Sequence, residues 1–189
     1  MGVRALRSAV FLDRDGVLNE TVIDDNGVPH PPGSVAELRI VEGAVEACRL
    51  LREAGFLLVV VTNQPDVARG TVSSGTVEKI NEEIGRLLEI DDIRVCFHDT
   101  GDGCDCRKPA PGLLLQASRD LTLDLSSSIM VGDRESDVEA GSRAGCRTVL
   151  IERPYSAASR VSPTYTTDSL LAGVDWILHH GRSTEEERA

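Results

Sequence analysis

The chain has 189 residues, of which 41% are hydrophobic, and 31 acidic side chains outweigh 20 basic ones for a formal net charge of -11. That length suits one domain, with room for a small insertion, that buries about 70% of the surface its unfolded chain exposes. The acidic balance argues against nucleic-acid or anionic-membrane partners, so an anionic ligand would have to be drawn in by locally placed cations.

A first strand is predicted from Ser8 to Leu12. The run continues as Asp13-Arg14-Asp15-Gly16-Val17-Leu18-Asn19. Alternate strand residues share a face, so Asp13 and Asp15 aim at one point, and Gly16 lets the chain turn sharply. Two anions so close call for a cation between them. A hard ion with oxygen ligands, Mg²⁺, fits best, and a chance pair of acids in a solvated turn is the alternative.

From Val41 to Ala54 the apolar spacing predicts a helix that stops at Gly55. Phe56 to Val61 is a continuous apolar, β-branched run, the pattern of a strand buried on both faces of a parallel sheet. It ends in Thr62-Asn63-Gln64, whose hydroxyl and amides can donate to phosphate oxygens without adding charge. Helices follow over 76–88, 112–121 and 135–144, and short strands over 93–96, 128–131 and 148–151. Such βα repeats predict right-handed crossovers and a doubly wound, Rossmann-like parallel sheet without a large cap domain. Ligands bind such sheets at the strands' carboxyl ends, where Asp13, Thr62 and Asp133 all fall.

Cys96, His98, Cys104 and Cys106 place three thiols and an imidazole within eleven positions. Four soft donors this dense predict a closed tetrahedral zinc site that is structural, stapling the polar loop 96–106. A disulfide is the competing account, and it leaves His98 without a role. Cys48 and Cys146 sit in apolar surroundings and read as buried small hydrophobes. Arg107-Lys108-Pro109 follows at once, and Lys108 is a candidate to neutralise a phosphoryl group. In Gly132-Asp133-Arg134-Glu135-Ser136-Asp137, Asp133 can complete a metal shell, while Asp137 can support it from behind or cap the helix.

No stretch reaches the roughly 20 apolar residues of a spanning helix, and the N-terminus lacks a signal-peptide core. The expectation is a cytoplasmic, monomeric protein with one domain over 1–181 and a poorly ordered tail over 182–189.

The order of the Asp-x-Asp pair, Thr62, Lys108 and Gly-Asp-x-x-x-Asp resembles the small, capless phosphatases of the haloacid dehalogenase superfamily, from about Phe11 to Ile151. The Cys-x-His-x5-Cys-x-Cys-Arg-Lys-Pro loop is similar to that of heptose 1,7-bisphosphate phosphatases and of the related histidinol-phosphate phosphatases. Thr62-Asn63-Gln64 with Val67-Ala68-Arg69-Gly70 looks more like the heptose branch. The resemblance implies that Asp13 is the nucleophile and Asp15 the general acid and then base. It also implies that Mg²⁺ is held by the Asp13 carboxylate, the Asp15 backbone carbonyl and Asp133. Contacts to a small phosphorylated sugar would come from Asn19, Thr62, Asn63, Gln64, Arg107, Lys108 and Arg134. The chain departs from the heptose pattern at 25–32 and at Pro65-Asp66, where the leaving group should sit. A phospho-accepting receiver domain is disfavoured, because its phosphorylated Asp follows a later strand than its acidic pair. A non-catalytic, zinc-stapled binding protein is the remaining alternative.

Overall fold

Six parallel strands form one sheet in the order β5-β4-β1-β6-β7-β8. The computed structural model describes residues 6–154 and 162–181. Met1 to Ala5 and the expected tail over 182–189 lie outside the described residues. The strands are β1 (Ala9–Leu12), β4 (Leu57–Asn63), β5 (Asp92–Cys96), β6 (Ile129–Gly132), β7 (Arg147–Ile151) and β8 (Tyr165–Thr167). A separate two-stranded antiparallel hairpin, β2 (Val22–Ile23) with β3 (Pro29–His30), follows the first turn.

β1 runs through the centre, paired on one side with β4 and on the other with β6. Its four residues are all buried, as are Leu57 to Thr62 of β4, which is why both strands read as unbroken apolar runs rather than alternating ones. Alternation survives inside the sheet. Val10, Leu12, Leu58 and Val60 pack with α1 (Ala44–Glu53), α2 (Ser74–Leu88) and α5 (Leu170–His180), whereas Ala9, Phe11, Val59 and Val61 pack with α3 (Gly112–Leu121) and α4 (Glu135–Ala144). The chain leaves β1 for β4 and β5, then returns to β6 on the other side. That reversal opens a crevice beside the C-terminal end of β1.

Two local differences from the sequence reading have physical causes. α1 begins at Ala44 rather than Val41, because Gly43 at its N-cap is left-handed, with φ 79°. β8 and α5 extend the fold beyond the last predicted strand, with the Ser169 hydroxyl capping α5 at the Ala172 amide. Among the described residues no helix is long and apolar enough to cross a membrane.

Candidate active site

The first acid continues the ladder of β1: the Asp13 amide donates to the Val131 carbonyl at 2.9 Å. Gly16, at φ 88°, then folds the chain back so that its amide reaches the Asn19 carbonyl at 2.7 Å. This tight turn holds Asp13 and Asp15 on the wall of a cleft of about 500 Å³. Asn63, Arg107, Lys108 and Arg134 line the same cleft, and Val28 to Pro31 of the hairpin form another wall. Asn19, Thr62 and Gln64 are buried behind it.

Those buried residues organise the ones in front. Gln64 Nε2 donates to Asp15 Oδ2 at 2.8 Å and to Thr62 Oγ1 at 2.9 Å, and Asn19 Nδ2 donates to Asp15 Oδ1 at 3.0 Å. The Asn63 side-chain amide exchanges two hydrogen bonds of 3.1 Å with the backbone of Lys108, pinning that residue to the end of β4. Lys108 Nζ thereby sits 2.8 Å from Asp13 Oδ1 and 2.6 Å from Asp137 Oδ1. Burial would pull the Lys108 pKa down, but the two carboxylates outweigh it and hold the ammonium above its ordinary range.

The third acidic element is the β6–α4 junction. Asp137 Oδ2 accepts from the Arg134 amide at 3.0 Å and so closes the first turn of α4. Gly132 is required at the strand end, since a Cβ there would lie 2.1 Å from Asp137 Cβ. Oxygens of Asp13, Asp133 and Asp137 come within 4.8 Å of one another, all three residues buried. Burial pushes the Asp13 carboxyl up to about 7; Lys108 opposes this, while Asp137, Asp133 and Asp15 add to it. Three carboxylates against one ammonium leave an excess of two negative charges within this group, which a divalent cation would cancel. Lys108 and the Arg134 amide engage the two Asp137 oxygens, and Asp13 and Asp133, each at the end of a strand, would offer oxygens to that cation. The donor set is hard and fits Mg²⁺. β1 ends at Leu12, so the strand face expected to aim Asp13 and Asp15 at one point does not form; both acids line the cleft, but the Asp15 carboxylate is held by Arg14, Asn19 and Gln64 and stands apart from the three-carboxylate group.

The loop beyond β5 assembles a second cluster. Asp99 and Asp102 form a reciprocal cap on the short helical turn Thr100–Asp102, and Gly103, at φ 63°, returns the chain to Cys104. Arg69 clamps Asp99 through two bonds of 2.8 Å, which hold that carboxyl down at about 2. Gly112 lets α3 start against the loop, since a Cβ there would lie 2.2 Å from the Asp105 carbonyl oxygen. All five cysteines are free. Cys106 Sγ lies 3.2 Å from Cys96 Sγ, 3.4 Å from Cys104 Sγ and 3.3 Å from His98 Nδ1, and Cys96 Sγ lies 3.8 Å from Cys104 Sγ. A tetrahedron with Zn–S bonds of about 2.3 Å has edges of about 3.8 Å, so the four donors fit a closed zinc site with slight expansion. Arg107 and Lys108 leave this loop directly for the cleft.

Three side chains that the motifs did not single out also shape the site. Arg14 reaches inward to Asp15 and to Asn81 of α2, and Arg153 donates to the Gly16 carbonyl at 2.7 and 2.9 Å. A buried arginine inside Asp-x-Asp was the one available signal, since arginine is almost never fully buried unless paired.

A family model described as HAD-hydrolase-like matches residues 105–173. A D-glycero-beta-D-manno-heptose-1,7-bisphosphate 7-phosphatase of Pasteurella multocida is 37% identical over 179 residues, covering 87% of this chain and 94% of that protein. The protein of that name in Yersinia pestis is 34% identical, covering 90% and 89% respectively. Among solved structures, a D,D-heptose 1,7-bisphosphate phosphatase from B. bronchiseptica, complexed with magnesium and phosphate, is 31% identical with a TM-score of 0.79; the match covers 91% of this chain and 98% of that one.

Proposed function

The chain belongs to the family of D-glycero-beta-D-manno-heptose-1,7-bisphosphate 7-phosphatases among the HAD-like hydrolases, and we propose that it removes the 7-phosphate of that sugar bisphosphate through an aspartyl-phosphate intermediate. The observation that carries this reading is the convergence of Asp13, Asp15, Lys108, Asp133 and Asp137 on one end of a single cleft at the carboxyl edge of the sheet.

In this reading an Asp13 oxygen bonds to phosphorus as the bond from phosphorus to the sugar oxygen breaks, and Asp15 delivers its proton to that departing oxygen. Asp15, now a carboxylate, takes a proton from water as the water oxygen bonds to phosphorus and the Asp13 bond breaks. Inorganic phosphate leaves and both acids are restored. Lys108 balances the phosphoryl charge and keeps the Asp13 carboxylate facing the cleft, while Asp137 holds Lys108 from behind. Mg²⁺ held by Asp13, Asp133 and the Asp15 carbonyl would screen the repulsion between carboxylate and phosphate. Arg107 and Arg134, which both line the cleft, suit the phosphate that is retained. Zinc held by Cys96, His98, Cys104 and Cys106 would be structural, because four protein donors leave no open position.

Phosphate release tests the reading, with the heptose 1,7-bisphosphate compared against histidinol phosphate and a panel of sugar phosphates. The expected result is Mg²⁺-dependent turnover with the highest kcat/KM for the heptose bisphosphate. Higher kcat/KM for histidinol phosphate would overturn the substrate, and absence of turnover on every ester would overturn the activity.

A further inference from the structure

We propose that Arg14 is a positioning residue that aims the Asp15 carboxyl at the leaving oxygen, with Asn81 fixing Arg14 in turn; the proposal rests on the reading of Asp15 as the proton donor. Arg14 lies between the two acids of the motif, yet its side chain is only 1% exposed and takes no part in lining the cleft. It is the bulkiest of the fully buried side chains among the described residues. A buried guanidinium needs partners for its donors, and this one divides them between two residues. Nε and Nη2 both face the Asp15 carboxylate at 3.0–3.2 Å, and Nη1 donates to Asn81 Oδ1 at 2.9 Å.

The planar fork fixes more than the position of the Asp15 carboxyl; it fixes its rotation as well. A lysine at the same place would supply charge without that constraint. Gln64 and Asn19 add one bond to each carboxyl oxygen, so side chains from just beyond β4 and from the turn converge on one group. The turn itself is gripped from across the sheet by Arg153 at the Gly16 carbonyl. Asn81 sits on α2, 67 residues away in sequence, and ties the orientation of the proton donor to a helix packed into the core. Asp13, by contrast, faces Lys108.

The consequence is specific to leaving-group departure. Misaiming a proton donor hurts an ester whose oxygen needs the proton and spares one whose oxygen leaves unaided. The test measures kcat/KM for Arg14→Met, Arg14→Lys and Asn81→Leu on two esters: the heptose bisphosphate, with an alkoxide leaving group, and para-nitrophenyl phosphate, with a stabilised phenolate. For Arg14→Met the expected loss is about 100-fold on the sugar ester and less than about tenfold on the aryl ester. Arg14→Lys should recover part of the difference. Asn81→Leu, which keeps Arg14 and removes its anchor, should show a smaller loss with the same preference, and the double variant should be no worse than Arg14→Met because the two act as a unit. Should Arg14→Met fail to fold, Asn81→Leu decides the matter. Equal losses on both esters, or no loss on either, would overturn the role of Arg14. Wild-type protein inactive on both esters, or Asp13→Asn retaining the wild-type rate, would instead sink the catalytic reading on which it rests.

Discussion

The two metal-suited clusters of this molecule are built in opposite ways. The carboxylate cluster draws Asp13 and Asp133 from just beyond two central strands and Asp137 from the first turn of α4, all buried and braced by Lys108. The thiol cluster sits mostly on a loop: only Cys96 belongs to the sheet, while Cys104 and Cys106 are part-exposed and reached through a turn of glycines and aspartates. One is held by the hydrophobic core and stores electrostatic repulsion. The other rests its thiols against the edge of the core and would gain further order from a metal that binds it. On the proposed reading the difference separates two roles: a cation in the first would relieve a standing charge excess and stay exchangeable, whereas a cation in the second would complete a fold.

The sharpest way to break that contrast is at Asp13. Asp13→Asn should lower phosphatase kcat by more than about 10³-fold while circular dichroism and zinc content stay at wild-type values. Asp15→Asn should cost about 10²- to 10⁴-fold, the range for a lost acid and base. A variant Asp13→Asn with near-native rate would show that the carboxylate cluster is not the reacting centre.

Next in size is the loop. Cys104→Ser should abolish zinc binding, lower Tm by about 5 °C or more and raise KM, because Arg107 and Lys108 leave the same loop for the cleft; Mg²⁺ dependence should remain. Elemental analysis and thermal melts check this. Wild-type protein without zinc, or a variant unchanged in Tm and KM, would erase the distinction between a folding metal and a reacting one.

The thiol cluster and part of the carboxylate cluster were readable in the sequence because their residues are close in the chain or mark strand ends: the four soft donors lie within eleven positions, and Asp13 and Asp133 each follow an apolar run, whereas Asp137 and not the Asp15 carboxylate completes the group of three. The sheet was readable for the same reason, since glycine stops and buried runs recur at βα spacing. What escaped depended on distance. Arg14 meets Asn81 across 67 residues and Arg153 meets Gly16 across 137, so no local pattern announces either contact. The two-residue strands of the hairpin and the three-residue β8 are too short to carry a periodic signal. Asn19, Thr62 and Gln64 show a subtler limit. Their place at the strand ends was legible, but which of them faces the cleft and which stands behind Asp15 is decided by packing.

The smallest predicted effect sharpens the comparison through pH. The folded chain raises the Asp13 carboxyl from 3.8 to about 7, so between those values the native state holds a proton that the unfolded chain has lost. The stabilisation from that proton is fully present below about 4 and disappears as pH rises through about 7. Chelator-treated protein should therefore lose stability between pH 5 and pH 8 from this group. A divalent cation competes with the proton for the same oxygens, and only above the transition does it meet an ionised cluster. Adding Mg²⁺ should raise Tm by a few degrees at pH 8 and by less at pH 5, while zinc retained by the thiol loop leaves a constant offset at both. Asp13→Asn should remove the Mg²⁺ shift at pH 8, and Cys104→Ser should keep it. An equal Mg²⁺ shift at pH 5 and pH 8, or one that survives in Asp13→Asn, would place the exchangeable cation somewhere other than the carboxylate cluster.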